Sequence, residues 1–127
     1  MFHYITLGTN DLNRARTFYD AVMAPLGAGL QRTKETEIGY GPVGTDVCRL
    51  WITRPYDGKA ATVGNGSMPA LEAPSRAAVD LFHKLALANG GTDEGAPGLR
   101  PYRPYFYACY VRDPDGNKLG AVCLHPE

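Results

Sequence analysis

The chain has 127 residues, 44% hydrophobic and 20% charged, and its 13 basic and 13 acidic side chains cancel. Such a length suits one domain that buries about two-thirds of its unfolded surface. The balanced charge, without a lysine-arginine run, lacks the electrostatic footprint of a nucleic-acid binder, and no stretch approaches the ~18 apolar residues of a membrane span.

Phe2 to Gly8 alternates and is rich in strand formers. Asn10 is placed to cap a first helix, with Asp11 in its first turn, where the helix dipole favours negative charge. Leu12, Ala15, Phe18 or Tyr19, Val22 and Leu26 recur at helical spacing, and Pro25 and Gly27 stop the helix near Ala24. Residues 28 to 41 read as two short strands turning near Thr33 to Glu35, followed by a stronger strand over Asp46 to Thr53. Residues 55–66 carry Pro55, Gly58, Gly64 and Gly66 and read as a linker.

The plan then restarts. Ser67 to Ala73 is a strand candidate, and Ser75 caps a second helix whose buried stripe is Ala78, Leu81, Phe82, Leu85 and Ala88 or Asn89, ending at Asn89-Gly90-Gly91. Gly95 to Pro104 holds too many Gly, Pro and Arg residues for a regular strand. Residues 105 to 112 and 118 to 124 form a closing hairpin around Asp113-Pro114-Asp115-Gly116-Asn117, where Pro114 presets φ and Gly116 or Asn117 tolerates positive φ. Leu7 and Leu71, Phe18 and Phe82, and Gly27 and Gly91 each stand 64 residues apart. With the repeated strand–cap–helix–Gly order, this offset favours one domain, 1–127, built by internal duplication. Module 1 is then 1–54, the linker 55–66 and module 2 67–127.

The three cysteines, Cys48, Cys109 and Cys123, are odd in number and form no CxxC pair. Each lies in an apolar, strand-like run and reads as a small buried hydrophobe. No charged segment followed by an apolar stretch opens the chain, so no signal peptide is expected and a cytoplasmic protein is the simplest reading. Gly64-Asn65-Gly66 is too short for a phosphate loop, and neither GxSxG nor HExxH occurs.

The closing stretch DPDGNKLGAVC resembles the last hairpin of the vicinal oxygen chelate superfamily, which includes glyoxalase I, extradiol dioxygenases and antibiotic-resistance proteins. The resemblance runs from the Tyr4-to-Tyr19 opening through GNGS and APSRAAVDLFH to that hairpin. It implies an α+β fold of two βαβββ modules, with curved mixed sheets around a cleft and helices outside. A ferredoxin-like domain is the alternative, but it leaves the DPDGNK hairpin unexplained. Metal-binding relatives place up to four ligands on the cleft faces of the central strands. Here those places fall on Tyr4, on Met68, on Leu50 by an ungapped count from Pro42, and on Gly120, two after Lys118. A phenol, a thioether, an alkyl chain and a bare backbone do not hold Zn²⁺, Ni²⁺ or non-haem iron, which want imidazole, thiolate or carboxylate. No metal and no other cofactor is therefore expected.

His3, beside Tyr4, could enter the cleft through a bulge or a one-residue slip, yet it would supply a single ligand. His83 and His125 read as packing or exposed residues. Strand parity puts Thr6, Leu50, Met68, Ala70, Gly120 and Val122 in the cleft with Tyr4, and Ile5, Leu7, Leu71 and Cys123 beneath the helices. The cleft should then be mostly apolar with a few hydroxyls. Tyr102, Tyr105, Tyr107 and Tyr110 cluster with Arg100, Arg103 and Arg112. Either their rings are buried with hydroxyls in water, or Tyr105 and Tyr107 belong to a cleft wall that stacks a planar or anionic ligand.

Three functions follow from the resemblance. The first is a protein that binds a small organic molecule without metal. The second is a lyase or dioxygenase with a relocated site, and the third an interaction module with a closed cleft. The resemblance also implies a homodimer.

Overall fold

The two helices begin where a side chain can satisfy their free N–H groups. In the computed structural model, which describes residues 1–127, Asp11 rather than Asn10 caps the first helix. Its extended backbone lets the carboxylate accept from the Arg14 N–H at 3.0 Å. Ser75 caps the second helix in the same way, accepting from Ala78 N–H at 3.0 Å. These helices are α1 (Leu12–Met23) and α2 (Arg76–Ala88). A single 3-10 turn, Ala24–Leu26, follows α1 and ends at Gly27, whose φ of 75° is the left-handed value that glycine adopts without strain.

Eight strands complete the chain. They are β1 (Ile5–Gly8), β2 (Ala28–Thr33), β3 (Glu37–Pro42), β4 (Leu50–Thr53), β5 (Ala70–Glu72), β6 (Thr92–Leu99), β7 (Tyr107–Arg112) and β8 (Lys118–Cys123). They make two four-stranded sheets, β1-β4-β3-β2 and β5-β8-β7-β6. In each sheet the first pair is parallel and the others antiparallel. Two helices with two mixed sheets give the α+β, glyoxalase-like class that the sequence implied. No helix is long and apolar enough to cross a membrane.

Several elements depart from the sequence reading. The strand expected over 46–53 starts only at Leu50, and the one expected over 67–73 is Ala70–Glu72. The loop before Leu50 lies against β3 instead, where a Cβ on Gly41 would fall 1.6 Å from the Val47 carbonyl oxygen. The Gly- and Pro-rich stretch expected to be irregular contains β6. It lies at the sheet edge, where Pro97 withholds no needed donor, and it absorbs its misfits in two register shifts. The buried stripe of α2 is Ala78, Val79, Phe82 and Ala86, whereas Leu81 is exposed.

Nineteen buried residues form one core reaching both helices and both sheets. Phe18, Tyr19 and Phe82 are among its largest fully buried side chains. Each phenylalanine contributes about 2–3 kcal/mol by burial. The DPDGN turn joins the halves. Asp113 accepts from the Tyr19 hydroxyl of α1 at 2.6 Å, and Asn117 Nδ2 donates to the Gly8 carbonyl at 2.9 Å. Asp115 accepts from Thr9 Oγ1 at 2.5 Å, the Asn10 N–H at 2.9 Å and Arg14 Nη2 at 2.8 Å. Gly116, at φ 92°, makes the turn possible.

The cysteines are free thiols, with Cys109 and Cys123 buried and Cys48 partly exposed. Burial pushes the Cys109 thiol up to about 11, leaving it protonated and unreactive at neutral pH. Iodoacetamide should label only Cys48 in the native protein and all three after denaturation. Rapid native labelling of Cys109, read by mass spectrometry, would contradict this placement.

Candidate functional site

Strand pairing assigns each side chain to a face. In the first sheet Ile5 pairs with Leu50, Thr6 with Trp51 and Leu7 with Ile52. Leu50 and Ile52 belong to the core, so Tyr4, Thr6, Trp51 and Thr53 point to the opposite, open face. Leu50, 2% exposed, is therefore no cleft residue; its expected place falls to Trp51. The ungapped count slipped by one because the loop before Leu50 leaves the sheet, and one residue of slip exchanges the faces. In the second sheet Ala70 pairs with Gly120 and Glu72 with Val122, and these face away from the core, which holds Leu119, Ala121 and Cys123. Tyr107 lies on the helix side, where its hydroxyl donates to Asp80 at 2.6 Å and Arg76 stands 5.2 Å from its ring. The Asp80 carboxylate holds that phenol above its ordinary pKa. Tyr105 sits in the turn before β7 at φ 65°, half exposed. On the open face of that strand the tyrosine is Tyr110.

On both open faces an aromatic ring lies across glycine. A Cβ on Gly39 would stand 2.9 Å from the Trp51 ring, and one on Gly120 would stand 3.2 Å from the Tyr110 ring. Tyr110 also covers Gly95, with Arg100 at 5.4 Å and Lys118 at 5.9 Å from its centroid. Tyr110 thus lies tightly against the space over Gly120.

The main cavity, about 850 Å³, opens on the first sheet alone. Tyr4 just before β1, Thr6 within it, Thr36 and Glu37 at the start of β3, and Thr53 at the end of β4 make its floor. Arg54, with Pro55, Tyr56 and Gly58 to Ala60 of the linker, makes its wall. Of the expected cleft residues the cavity brings together Tyr4 and Thr6; Met68, Ala70, Tyr105, Gly120 and Val122 lie outside it. Its lining is mixed, with Thr6, Thr36, Glu37 and Thr53 on the sheet side and Arg54 and Lys59 in the loop, not mostly apolar as expected. Asn10 fixes that linker: its Oδ1 accepts from the Ala61 N–H at 2.7 Å and its Nδ2 donates to the Ala61 carbonyl at 3.1 Å. Residue 8 must be small there, since a Cβ would come 3.0 Å from that of Ala61. The lining residues missed from sequence are Thr9, Asn10, Thr36, Glu37 and Thr53, and the loop residues Arg54 to Tyr56 and Gly58 to Ala60. Two cations and a tyrosine in a surface loop were the available signal.

His3 is exposed and near Arg49, whose Nη1 donates to the His3 carbonyl at 2.9 Å. His83 pairs with Asp93 at 2.8 Å, which lowers the Asp93 pKa. Tested against a divalent cation, Tyr4, Trp51, Met68 and Gly120 make no donor set, and no three His, Cys, Asp or Glu side chains are grouped elsewhere. These residues do not fit Zn²⁺, Ni²⁺ or iron.

Two strand–helix–three-strand units, each with an open sheet face backed by a helix, define a paired-module scaffold. The chain belongs to the Glyoxalase/Bleomycin resistance protein/Dioxygenase superfamily, whose family model matches residues 1–120. It is similar to a glyoxalase/bleomycin resistance protein from Albidiferax ferrireducens T118, at 39% identity and a TM-score of 0.87, covering 97% of this chain and 98% of that one. A glyoxalase-related enzyme from Fulvimarina pelagi shares the fold at 21% identity and a TM-score of 0.73, covering 97% and 87%. So does a glyoxalase/bleomycin resistance protein/dioxygenase family enzyme from Burkholderia phytofirmans PsJN, at 18% identity and 0.72, covering 97% and 98%. No curated protein matches the chain significantly.

Proposed function

We propose that the protein binds a small organic molecule, without a metal, in the cavity between the first sheet and the linker. The observation that carries this reading is the pairing of a formed cavity of about 850 Å³ with ligand positions that hold no donor set. That volume is within the ~300–1,000 Å³ typical of small-molecule sites. Tyr4 and Tyr56 offer aromatic surface, while Thr6 and Thr36 offer hydroxyls that no group of the chain engages. The ligand would be held by hydrogen bonds and ring contact, and no group in the cavity is placed as a nucleophile–base pair.

The test combines elemental analysis of the purified, untagged protein, offered Ni²⁺, Zn²⁺, Fe²⁺ and Mn²⁺, with a thermal-shift ligand screen. The expected result is no stoichiometric metal and at least one organic ligand that raises Tm. One tightly held metal per chain would overturn the metal-free reading and put a lyase or dioxygenase first. The protein is further proposed to act in the cytoplasm as a homodimer. Exposed Phe2 and Val43, which lie outside the cavity, support pairing, and a monomer mass by sedimentation would reject it.

A further inference from the structure

We infer that the cavity selects organic anions, with Arg54 and Lys59 as the groups that read the negative charge. This rests on the proposed binding role of the same cavity and adds the class of ligand. Three side chains lining it carry formal charge: Arg54, Lys59 and Glu37. Glu37 is already matched by Lys34, whose ammonium lies 3.3 Å from its carboxylate. Arg54 and Lys59 take part in none of the chain's ion pairs, and neither side chain is hydrogen-bonded.

The neighbouring carboxylates do not cancel them. Asp57, in the same loop, does not line the cavity and forms no ion pair with Arg54 or Lys59; its carboxylate accepts from the Lys59 backbone N–H at 3.0 Å. Asp115, behind Thr9 and Asn10, is saturated by the Thr9 hydroxyl, the Asn10 N–H and Arg14. Two cations therefore remain without a partner at one cavity, in a chain whose total formal charge is zero.

The chemistry of these groups narrows the ligand. A guanidinium offers a planar fork suited to a carboxylate or a phosphate, and an ammonium adds a point charge that adapts to either. Both groups sit on the loop that Asn10 holds by two hydrogen bonds to Ala61, so the charge is presented from a fixed wall. On the sheet side, Tyr4 and the unengaged hydroxyls of Thr6 and Thr36 suit a body that is flat and carries hydrogen-bonding groups. A ring bearing one carboxylate or phosphate ester meets these requirements and fits the volume. The mouth is open, so the cations stay partly hydrated and the preference should weaken with salt.

Amide-resolved NMR titration of the full chain at low ionic strength separates the possibilities. The probes are 4-hydroxybenzoate, phenyl phosphate, neutral 4-hydroxybenzamide and cationic benzamidine. Both anions should shift the Thr6, Thr36 and Arg54-to-Lys59 amides saturably, about tenfold more tightly than the neutral probe. The paired substitution Arg54→Gln and Lys59→Gln, made in an exposed loop, should abolish that preference without changing Tm. A stronger response to one anion would tell carboxylate from phosphate recognition. Equal binding of neutral and anionic probes at these amides would overturn the anion selectivity and leave the cavity as a binding site. Anion binding centred on Arg100 and Lys118 would overturn the assignment to Arg54 and Lys59. Absence of any shift at these amides, with every probe at millimolar concentration, would overturn the binding role itself.

Discussion

Asp113→Ala is expected to cost about 4 kcal/mol of unfolding free energy, at roughly 1 kcal/mol net for each of four hydrogen bonds. Asp113 accepts from the Tyr19 hydroxyl at 2.6 Å and, at 2.9 Å each, from the Asp115 N–H, the Asn117 N–H and Asn117 Nδ2. All four donors would be left in a site that water reaches poorly. Such a loss is a large part of the ~5–15 kcal/mol of a typical domain and should lower Tm by about 10–15 °C. Tyr19→Phe removes one of the four bonds and should cost about 1 kcal/mol. Urea unfolding of both variants and their combination would measure the coupling. A loss under about 1 kcal/mol for Asp113→Ala would show that this turn does not tie the halves together.

The same pair sets an alkaline limit. Burial first, and then the Asp113 charge, holds the Tyr19 phenol well above its ordinary pKa. Burial, with the hydrogen bond to Asp20, does the same at Tyr40. Because the folded values are raised, this stability is complete below the unfolded pKa of about 10 and is lost as pH rises beyond it. The urea midpoint of the wild type should therefore fall above about pH 10, and less steeply in Tyr19→Phe.

Gly91→Ala should cost about 3 kcal/mol, at the upper end of overpacking penalties. A Cβ there would lie 2.8 Å from the Ala86 carbonyl oxygen, from the Arg112 carbonyl oxygen and from Phe18 Cε2. Two of those atoms are backbone and the third is a buried ring of the other half, so none can withdraw without disturbing α2, β7 or α1. Gly90→Ala is the control. Its neighbour Pro114 is 3.4 Å away and its φ is 93°, so its cost of about 1 kcal/mol is conformational. Thermal unfolding compares the two. Equal or smaller loss at Gly91 would mean that the interface of the halves yields easily.

Gly91 and Asp113 illustrate what was open to reading in the chain. Both were singled out from sequence, as a repeat match and a turn residue. Part of their energetic weight was not visible, because the Phe18 ring against Gly91 and the Tyr19 hydroxyl on Asp113 each come from more than 70 residues away in sequence. The helices were the most legible elements. A cap, a 3.6-residue period and a Gly or Pro stop are local, although Asp11 took the capping place expected of Asn10 and freed Asn10 for the linker.

The sequence by itself determined the two helices with their caps and stops, the repeated strand–helix order and the closing hairpin, which follow from residue type and short spacing. The α+β class and the ligand places at Tyr4, Met68 and Gly120 came from the resemblance those motifs carry. The tertiary structure alone decided which residue of β4 faces the cavity, since a loop of several residues must leave the sheet before its register is set. It also decided that β6 is a strand, because an edge position tolerates proline and bulges where an interior one does not. The cavity's mixed lining was decided there too. Parity within a strand reveals the floor of a site, but the linker wall, with Arg54 and Lys59, exists only because Asn10 and Ala61 meet across 51 residues of chain.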